Sequence, residues 1–268
     1  DGRVAIVTGG GRGLGRAYAE LLASRGAKVL VNDTGASIVG YEITGNPADE
    51  VVAAITAAGG EALACTESVA TEAGGKAIIA QAMDTWGRVD ILIHNAGNVR
   101  YGSLADMSYD DFKAVTDVHL MGAYHVVRPA FPIMKQQQYG RVVLTGSIGG
   151  LYGHAGGVAN YSVSKSAMIG LSNVIANEGL DDNIKSNVIL PGAVTRMSEG
   201  VDTTNFPEMG PELVAPVVAY LSHESCEVSA EMLISVAGRV ARAFITETEG
   251  CVRKTWQIED VAENLDAI

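Results

Sequence analysis

The sequence predicts an α/β protein that folds as a single doubly wound domain around a seven-stranded parallel sheet. Short apolar runs alternate with longer stretches of helical periodicity along most of the 268 residues. The apolar runs are continuous and not interleaved with polar residues, which is typical of parallel strands covered on both faces. Many of the 32 glycines cluster where a run ends, as expected for tight turns between strands and helices. No linker or shift in composition divides the chain.

Seven apolar runs are predicted to be the strands of this sheet. The first, Val4–Val7, ends at a cluster of glycines, and the last, Met232–Ser235, comes shortly before Gly238. We expect residues 1–237 to form one domain and residues 238–268 to form a C-terminal extension packed on or near it. The remaining strands are predicted at Val29–Val31, Ala62–Cys65, Ile91–Ile93, Arg141–Leu144 and Ser186–Ile189.

Helical patterns fill the intervals between these strands. A helix from about Leu14 to Ser24 follows the first strand, and another starts near Ala48 after a glycine-rich excursion, TGASIVGYEITGNP. The longest pattern covers about Tyr109–Gln136. A further helix, which contains Tyr161, is predicted to end near Glu178. This alternation of strands and helices predicts a parallel sheet with helices on both faces.

Charge and composition argue against several classes of function. The formal net charge of −12 disfavours nucleic acid as a partner, because phosphate binding needs a basic surface. Cys65, Cys226 and Cys251 have the spacing of neither a zinc site nor a disulfide framework, which suits a reducing cytoplasm. No apolar run reaches the roughly 18 residues of a membrane-spanning helix. The sequence thus predicts a cytoplasmic protein with no metal ion, membrane or nucleic acid as partner.

A glycine-rich turn joins the first strand to the first helix. This turn, Thr8–Gly15, has the pattern T-G-x-x-x-G-x-G. Glycines in such a turn let a pyrophosphate approach the helix N-terminus, where backbone N–H groups and the helix dipole favour anions. The pattern also fits a plain glycine-rich turn, but its position between strand and helix favours a Rossmann-type dinucleotide site. The candidate cofactor-binding residues here are Gly9, Arg12, Gly13, Leu14 and Gly15.

The type of dinucleotide depends on Asp33, which follows the second strand 20 residues after Gly13. A carboxylate there accepts hydrogen bonds from an adenosine ribose and repels the 2′-phosphate of NADP. Arg12 is an opposing signal, because a basic side chain in the loop can bind that phosphate. Asp33 is the better placed of the two, so the sequence predicts NAD as the cofactor.

Tyr161 and Lys165 are one helical turn apart. Residues at i and i+4 share a helix face, so the two side chains should lie side by side. Taken alone, this spacing also fits a tyrosine that covers the stem of a lysine on an exposed surface. Other motifs of the chain are needed to decide between the two interpretations.

Five motifs together resemble the short-chain dehydrogenase/reductase family, in the expected order and over nearly the whole chain. They are the loop TGGGRGLG, His94–Gly97 for the family's N-N-A-G element, Ser147 after the fifth strand, Tyr161 with Lys165, and Pro191–Thr195. A narrower resemblance is to the (3R)-hydroxyacyl-CoA dehydrogenase unit of peroxisomal multifunctional β-oxidation enzymes. It is carried by the segments VNDTG, HLMGAYHVVRPAFPIMK, QYGRVVLTGSIGGLYG and LSHESCE.

The resemblance implies hydride transfer between a secondary alcohol and a nicotinamide, with Tyr161 as the acid/base. A tyrosine has an ordinary pKa of about 10, and lowering it to near 7 needs about 4 kcal/mol. One ammonium at about 4 Å supplies that order of energy at an effective dielectric near 20, and Lys165 has the right charge and spacing. Ser147 would hold the substrate oxygen. His119 stands where many members have a water-holding asparagine, and it is either a proton-relay residue or a core histidine.

The same resemblance implies the rest of the site. The cofactor set is completed by Ser68, Val69, Asn95, Ala96, Gly97, Tyr161, Lys165, Pro191 and Val194. The candidate substrate residues are Ser147, Gly149, Tyr152 and Tyr161. An apolar cleft for an acyl chain has the candidates Leu151, Tyr152, Val194, Met197 and Phe206. Cations for the phosphates of an acyl-CoA substrate have the candidates Arg100, Arg196, Arg239 and Arg242.

Two other functions stay open. One is a dehydrogenase of another secondary alcohol, such as a steroid or a small hydroxy compound, and the other is a non-catalytic nucleotide sensor. The intact set of Ser147, Tyr161 and Lys165 argues against a sensor, although fold similarity alone does not exclude it. Members of the family usually pair through the two long helices, so a homodimer or homotetramer is expected.

Overall fold

The computed structural model describes residues 2–153, 156–198, 204–205 and 207–268, and in these one sheet carries helices on both faces. The strands are β1 (Val4–Thr8), β2 (Lys28–Asn32), β3 (Glu61–Cys65), β4 (Ile91–His94), β5 (Gly140–Thr145), β6 (Ile184–Gly192), β7 (Met232–Val236) and β8 (Arg239–Ala243). The helices are α1 (Gly13–Ser24), α2 (Pro47–Ala57), α3 (Glu72–Trp86), α4 (Tyr109–Thr116), α5 (Gly122–Gln137), α6 (Ile148–Leu151), α7 (Ala159–Glu178), α8 (Ala215–Leu221) and α9 (Ile258–Glu263).

The sheet is mostly parallel, as predicted, in the order β3-β2-β1-β4-β5-β6-β7-β8. The expected count of seven strands is wrong, because β8 pairs antiparallel with β7 in the segment assigned to an extension. Ala237 and Gly238 join the two strands with φ angles of 50° and 75°, the left-handed geometry of a tight hairpin turn. β8 mixes charged and apolar residues, as exposed edge strands do. It therefore lacks the continuous apolar run from which the other strands are predicted.

Two hydrophobic clusters hold the sheet between its layers of helices. Successive strand residues face opposite sides of a sheet. Val4 and Ile6 of β1 accordingly belong to one cluster, whereas Ala5 and Val7 belong to the other. Helices α3, α5 and α7 contribute to the first cluster, and α1, α2 and α8 to the second. Because both faces are buried, the parallel strands have continuous apolar sequences.

The long helical segment predicted at Tyr109–Gln136 is not one regular helix. A π-helical turn, Asp117–Met121, separates α4 from α5. The apolar periodicity of the sequence persists on either side of this turn, so the pattern does not reveal it. Single π turns inside α-helices are frequent at functional sites. His119 lies in the middle of this one and is only 2% exposed.

The carboxyl ends of the parallel strands meet at one edge of the sheet, which is where ligands bind in open α/β sheets. Five of the strands end there in Thr8, Asn32, His94, Thr145 and Gly192.

In the described part of the chain, no helix is long and apolar enough to cross a membrane. No three His, Cys, Asp or Glu side chains of the described residues gather as metal ligands.

Candidate active site

A cleft of about 690 Å³ opens at the carboxyl edge of the sheet. This volume is in the usual range for small-molecule and cofactor sites. It extends from the glycine-rich loop before α1 to the first turns of α6 and α7. The predicted site residues that line it are Gly9, Arg12, Gly13, Leu14, Asp33, Ser68, Val69, Asn95, Ala96, Gly97, His119, Ser147, Gly149, Tyr161, Lys165 and Pro191. Gly15, Tyr152 and Val194 lie outside this lining.

The glycines of the loop permit close packing against the end of β4. A Cβ atom on Gly9 would lie 2.8 Å from the Cα atom of Ala96, and one on Gly15 would lie 2.0 Å from the carbonyl oxygen of Gly9. The side-chain amide of Asn95 donates to that same oxygen at 3.1 Å. Gly13 has a φ angle of 51°, which few residues other than glycine adopt. Gly15 therefore packs against the backbone of the loop at Gly9, although it does not line the cleft.

Asp33 and Arg12 are held in different ways at this end of the cleft. The Asp33 carboxylate accepts the backbone N–H groups of Gly11 at 3.1 Å and Gly35 at 2.8 Å. The Arg12 guanidinium donates to the Thr44 hydroxyl at 3.1 Å. The acidic group thus faces the glycine-rich loop, while the basic group is engaged by the excursion after β2.

Ser147, Tyr161 and Lys165 come together at the other end of the cleft. The Ser147 hydroxyl accepts the backbone N–H of Gly149 at 3.1 Å and lies near enough to the Tyr161 side chain to lower its pKa. The Lys165 Nζ atom lies 5.6 Å from the centroid of the Tyr161 ring. It donates to the carbonyl oxygen of Thr145 at 2.6 Å. Lys165 is only 5% exposed, so this pair does not lie on an open surface.

Burial is the main influence on the ionisation of Tyr161 and Lys165. It lowers the pKa of Lys165 to about 7, because a buried ammonium loses its hydration. Burial also raises the pKa of Tyr161, and the nearby Ser147 hydroxyl only partly offsets this. In the protein alone, therefore, Tyr161 does not have the lowered pKa that its spacing from Lys165 leads us to expect.

The His119 imidazole is enclosed between the end of β4 and Tyr161. Its Nε2 atom lies 2.8 Å from the carbonyl oxygen and 3.1 Å from the backbone nitrogen of Asn98. A Cβ atom on Gly97 would lie 2.5 Å from His119 Cε1, so glycine is needed there. The Nδ1 atom is buried and has no partner among the described residues. Burial, and then the charge of Lys165, hold the pKa of His119 well below its usual value.

His94 links the glycine-rich loop to the π turn, a contact that the sequence did not reveal. The Thr8 hydroxyl oxygen accepts the N–H groups of Asn95 and Ala96, both at 3.1 Å. Its own proton is therefore donated to His94 Nδ1, 3.1 Å away. His94 must then carry its proton on Nε2, which donates to the carbonyl oxygen of His119 at 3.0 Å. Burial lowers the pKa of this neutral imidazole to about 3.

The apolar end of the cleft differs from the predicted set. Met197 lines it, but Leu151, Tyr152 and Val194 do not, and the Tyr152 side chain is 73% exposed. Phe206 lies outside the described residues. The apolar side chains that line this end without having been predicted are Val99, Tyr101, Ile148 and Val158.

The four candidate cations for a phosphate differ in what they already bind. Arg100 is ion-paired with Asp111 at 3.1 Å, and 11% of its side chain is exposed. Arg242 is ion-paired with a glutamate just before β7, and Arg196 donates to a carbonyl oxygen of the excursion. Arg239 begins β8 opposite the end of β7, and its side chain has no hydrogen bond or ion pair with a described residue. Only Arg239 of this set is thus unengaged within the described chain.

The chain is similar in sequence to curated proteins that are dehydrogenases or contain a dehydrogenase. The chain is 47% identical to peroxisomal multifunctional enzyme type 2 of Drosophila melanogaster over 253 aligned residues. These residues make up 94% of the chain and 42% of that protein. It is 44% identical to a putative short-chain type dehydrogenase/reductase of Mycobacterium tuberculosis, over 97% of the chain and 91% of that protein. The chain thus spans less than half of the multifunctional enzyme. The word peroxisomal in its name does not support the predicted cytoplasmic location, which stays a prediction.

Solved structures lead to the same family. Full-length multifunctional enzyme type 2 from Drosophila melanogaster superposes with a TM-score of 0.82 at 41% identity, over 99% of this chain and 45% of that one. A short chain dehydrogenase from Mycobacterium avium superposes with a TM-score of 0.86 at 36% identity, over 100% and 94% of the two chains. The family model described as short chain dehydrogenase matches residues 3–205. The chain therefore belongs to the short-chain dehydrogenase/reductase family of nicotinamide-dependent oxidoreductases.

Proposed function

We propose that this protein uses NAD to interconvert a secondary alcohol and a ketone, with Tyr161 as the acid/base and a (3R)-3-hydroxyacyl-CoA as the substrate. The observation that carries the proposal is the convergence of Ser147, Tyr161 and Lys165 at one end of a cleft that begins at a glycine-rich loop. A nucleotide sensor has no need of these three groups together. The family supports the oxidoreductase chemistry, and the cleft supports the roles of individual residues.

The residues of the cleft fit a nicotinamide dinucleotide. The crowded glycines leave backbone N–H groups at the start of α1 open to a pyrophosphate. Asp33 accepts two N–H groups with its carboxylate and, as an anion, disfavours a 2′-phosphate, which supports NAD. Lys165 uses one of its three N–H bonds on Thr145, so two remain for ribose hydroxyls. When bound, the cofactor supplies the carbon that accepts or returns the hydride.

Tyr161 and Lys165 act as a coupled pair in this proposal. A cation 5.6 Å from the centroid of the ring attracts a phenolate, and this attraction opposes the rise in the pKa of Tyr161 that burial causes. The same attraction opposes the lowering of the pKa of Lys165 by burial, so the two groups titrate as a pair. Alcohol oxidation should rise with pH, because Tyr161 must be deprotonated to accept the hydroxyl proton. Ketone reduction should fall with pH, because Tyr161 must then donate.

Ser147 and His119 complete the proposed proton chemistry. The Ser147 hydroxyl lines the same cleft as Tyr161, and we assign it to the substrate oxygen as negative charge develops there. We assign His119 to a relay that returns protons to Lys165. Its Nδ1 atom is buried without a described partner, and both His119 and Lys165 line the cleft and lie near the Tyr161 ring.

A (3R)-3-hydroxyacyl-CoA is the substrate that the combined observations favour. The relatives that support it are multifunctional enzymes, one of which is named hydratase-dehydrogenase-epimerase. The apolar residues at the end of the cleft, among them Tyr101, Ile148 and Met197, suit an acyl chain. Arg239 at the same edge of the sheet suits a CoA phosphate, despite the net charge of −12.

We also propose that the protein forms a homodimer or homotetramer through α5 and α7. Apolar side chains on these helices are exposed: Tyr124 is 47%, Val163 50% and Val174 51% exposed. Val163 and Val174 are about three turns apart on α7 and so lie on the same face of that helix, as expected for a protein–protein contact. This is tested by the molar mass of the unmodified protein and of a Val163→Glu variant in sedimentation equilibrium. A monomeric mass for the unmodified protein would contradict the proposal.

The substrate assignment is tested by NADH production across a panel of alcohols. The panel contains (3R)- and (3S)-3-hydroxyacyl-CoA thioesters of several chain lengths, steroids and simple secondary alcohols. We expect turnover of the (3R) thioesters, with poor use of the (3S) isomers and a KM that rises with ionic strength. Turnover of steroids or simple alcohols and none of any CoA thioester would contradict the acyl-CoA assignment and leave the dehydrogenase assignment intact.

A further inference from the structure

We propose that Asn160 is a positioning residue for Tyr161, and that Arg100 connects it to the excursion at the cofactor cleft. The inference rests on the proposed role of Tyr161 as the acid/base. It assigns a role to Arg100 other than phosphate binding.

The start of α7 needs an acceptor that its capping residue does not provide. The first N–H groups of a helix have no partner within the helix. Val158 precedes α7 and makes no side-chain hydrogen bond to it. Instead, the Asn160 side-chain oxygen accepts the backbone N–H of Tyr161 at 2.7 Å. The residue next to Tyr161 thus supplies the missing cap at Tyr161 itself.

The amide nitrogen of Asn160 fixes this cap to two other segments. It donates to the carbonyl oxygen of Arg100 at 3.1 Å and to that of Asp111 at 3.2 Å. Asn160 is 0% exposed, so its amide has no water to replace these partners. With both donors and the acceptor used, the side chain has one satisfied orientation. The first turn of α7 is therefore held against the segment after β4 and against α4.

The Arg100 side chain also contacts the excursion. Its guanidinium is ion-paired with Asp111 at 3.1 Å, and its Nε atom donates to the carbonyl oxygen of Val39 at 3.0 Å. The Arg100 guanidinium also lies 3.9 Å from the centroid of the Tyr41 ring. The same two residues thus contact Asn160 through their carbonyl groups and the excursion through their side chains.

The excursion is itself a wall of the cleft beside Asp33. Thr34, Ala36, Ser37 and Gly40 line the cleft at this point. A continuous set of contacts therefore runs from this wall through Arg100 and Asn160 to Tyr161. Disturbing it should displace Tyr161 from Lys165 without removing any group that touches the substrate.

The test compares Asn160→Ala with the control Asn177→Ala, an exposed asparagine on the same helix. We expect kcat for alcohol oxidation to fall about 10- to 100-fold in Asn160→Ala, as for small misplacements of a reacting group, with NADH affinity unchanged. The pH at which kcat rises should also shift upward, so that the deficit shrinks at high pH. A deficit equal at every pH, or a kcat equal to that of the control, overturns the proposal.

A second variant keeps the proposal testable if Asn160→Ala does not fold. Arg100→Lys keeps the charge beside Asp111 but loses the Nε contact with Val39 and the stacking on Tyr41. We expect the same upward shift in the pH dependence of kcat, and a profile identical to the unmodified protein overturns the connection to the excursion. Tyr161→Phe separates a failure of the proposed acid/base role of Tyr161 from a failure of the proposed positioning role of Asn160. If it retains activity, the proposed acid/base is wrong; if it is inactive while both other variants are normal, only the positioning role is wrong.

Discussion

The His119 imidazole meets the Tyr161 ring edge to face, with the ring centroids 5.4 Å apart and the planes at 83°. The histidine is held in this position by its Nε2 contact with Asn98 and by the absence of a side chain on Gly97. Its Nδ1 atom is buried and has no partner among the described residues. This arrangement makes His119 a relay candidate, and it also agrees with a histidine that only fills the core.

Two substitutions at His119 separate these roles. His119→Asn keeps a polar group that can hold a water and should retain much of the activity. His119→Leu removes that group and should lower kcat by about 100-fold or more, as expected for a lost proton-transfer group. The measurement is kcat for alcohol oxidation, with NADH binding as the check on folding. Equal kcat values in the two folded variants would support the core role.

The cofactor preference depends on the Asp33 charge. Asp33→Asn keeps a side-chain oxygen for the neighbouring N–H groups but removes the repulsion of a 2′-phosphate. We expect the unmodified protein to prefer NAD. In the variant, the ratio of kcat/KM with NAD to kcat/KM with NADP should be smaller by about tenfold, equivalent to about 1.4 kcal/mol. An unmodified protein that prefers NADP would show that Arg12 outweighs Asp33.

Stability should fall in mild acid because His94 and His119 are buried and neutral. Burial lowers the pKa of His94 to about 3 and that of His119 well below its usual value, whereas in the unfolded chain both take up a proton below about pH 6.5. The unfolded state then binds more protons. The free energy of unfolding should therefore decrease as pH falls from 6.5 to 5, by up to about 1.4 kcal/mol per pH unit for each histidine.

Urea denaturation at several pH values measures this slope. His94→Asn removes one titrating group, so its slope should be shallower even if its stability at pH 7 is lower. A free energy of unfolding that does not change between pH 6.5 and 5 would contradict the neutral, buried state of both histidines.

Phosphate recognition is predicted to depend on Arg239 more than on Arg242. Arg239 has no described partner, whereas Arg242 is ion-paired with Glu231. Arg239→Gln should raise KM for an acyl-CoA and weaken its dependence on salt, but leave KM for the matching N-acetylcysteamine thioester, which has no phosphate, unchanged. Arg242→Gln is the matched control. An equal effect of both substitutions, or none, would remove Arg239 from the phosphate site.

Much of the fold follows from the sequence because the parallel strands are buried on both faces. Val4–Val7 and its counterparts read as continuous apolar runs for that reason. β8 lacks such a run because it is an exposed edge strand. The π turn at Asp117–Met121 is hydrogen-bonded to His94 at the end of β4, a contact that local periodicity does not show. Sequence spacing therefore predicts where the elements are but not how a helix is wound within them.

Residues of the site divide in the same way. Tyr161 and Lys165 are recognisable because their i, i+4 spacing is local. The engagement of Arg100 depends on Val39 and Tyr41, which are distant in sequence, and no local pattern shows it. Tyr152 follows α6 but is largely exposed and is not part of the cleft lining, which residue order alone does not determine.

The most direct test of the central claim is the kcat of Tyr161→Phe for NAD-dependent alcohol oxidation. This change keeps the ring against His119 and removes only the phenolic oxygen. We predict a kcat lower by about 10²- to 10⁴-fold, with NADH affinity and thermal unfolding close to those of the unmodified protein. Near-normal turnover by the folded variant would contradict the role of Tyr161 as the acid/base.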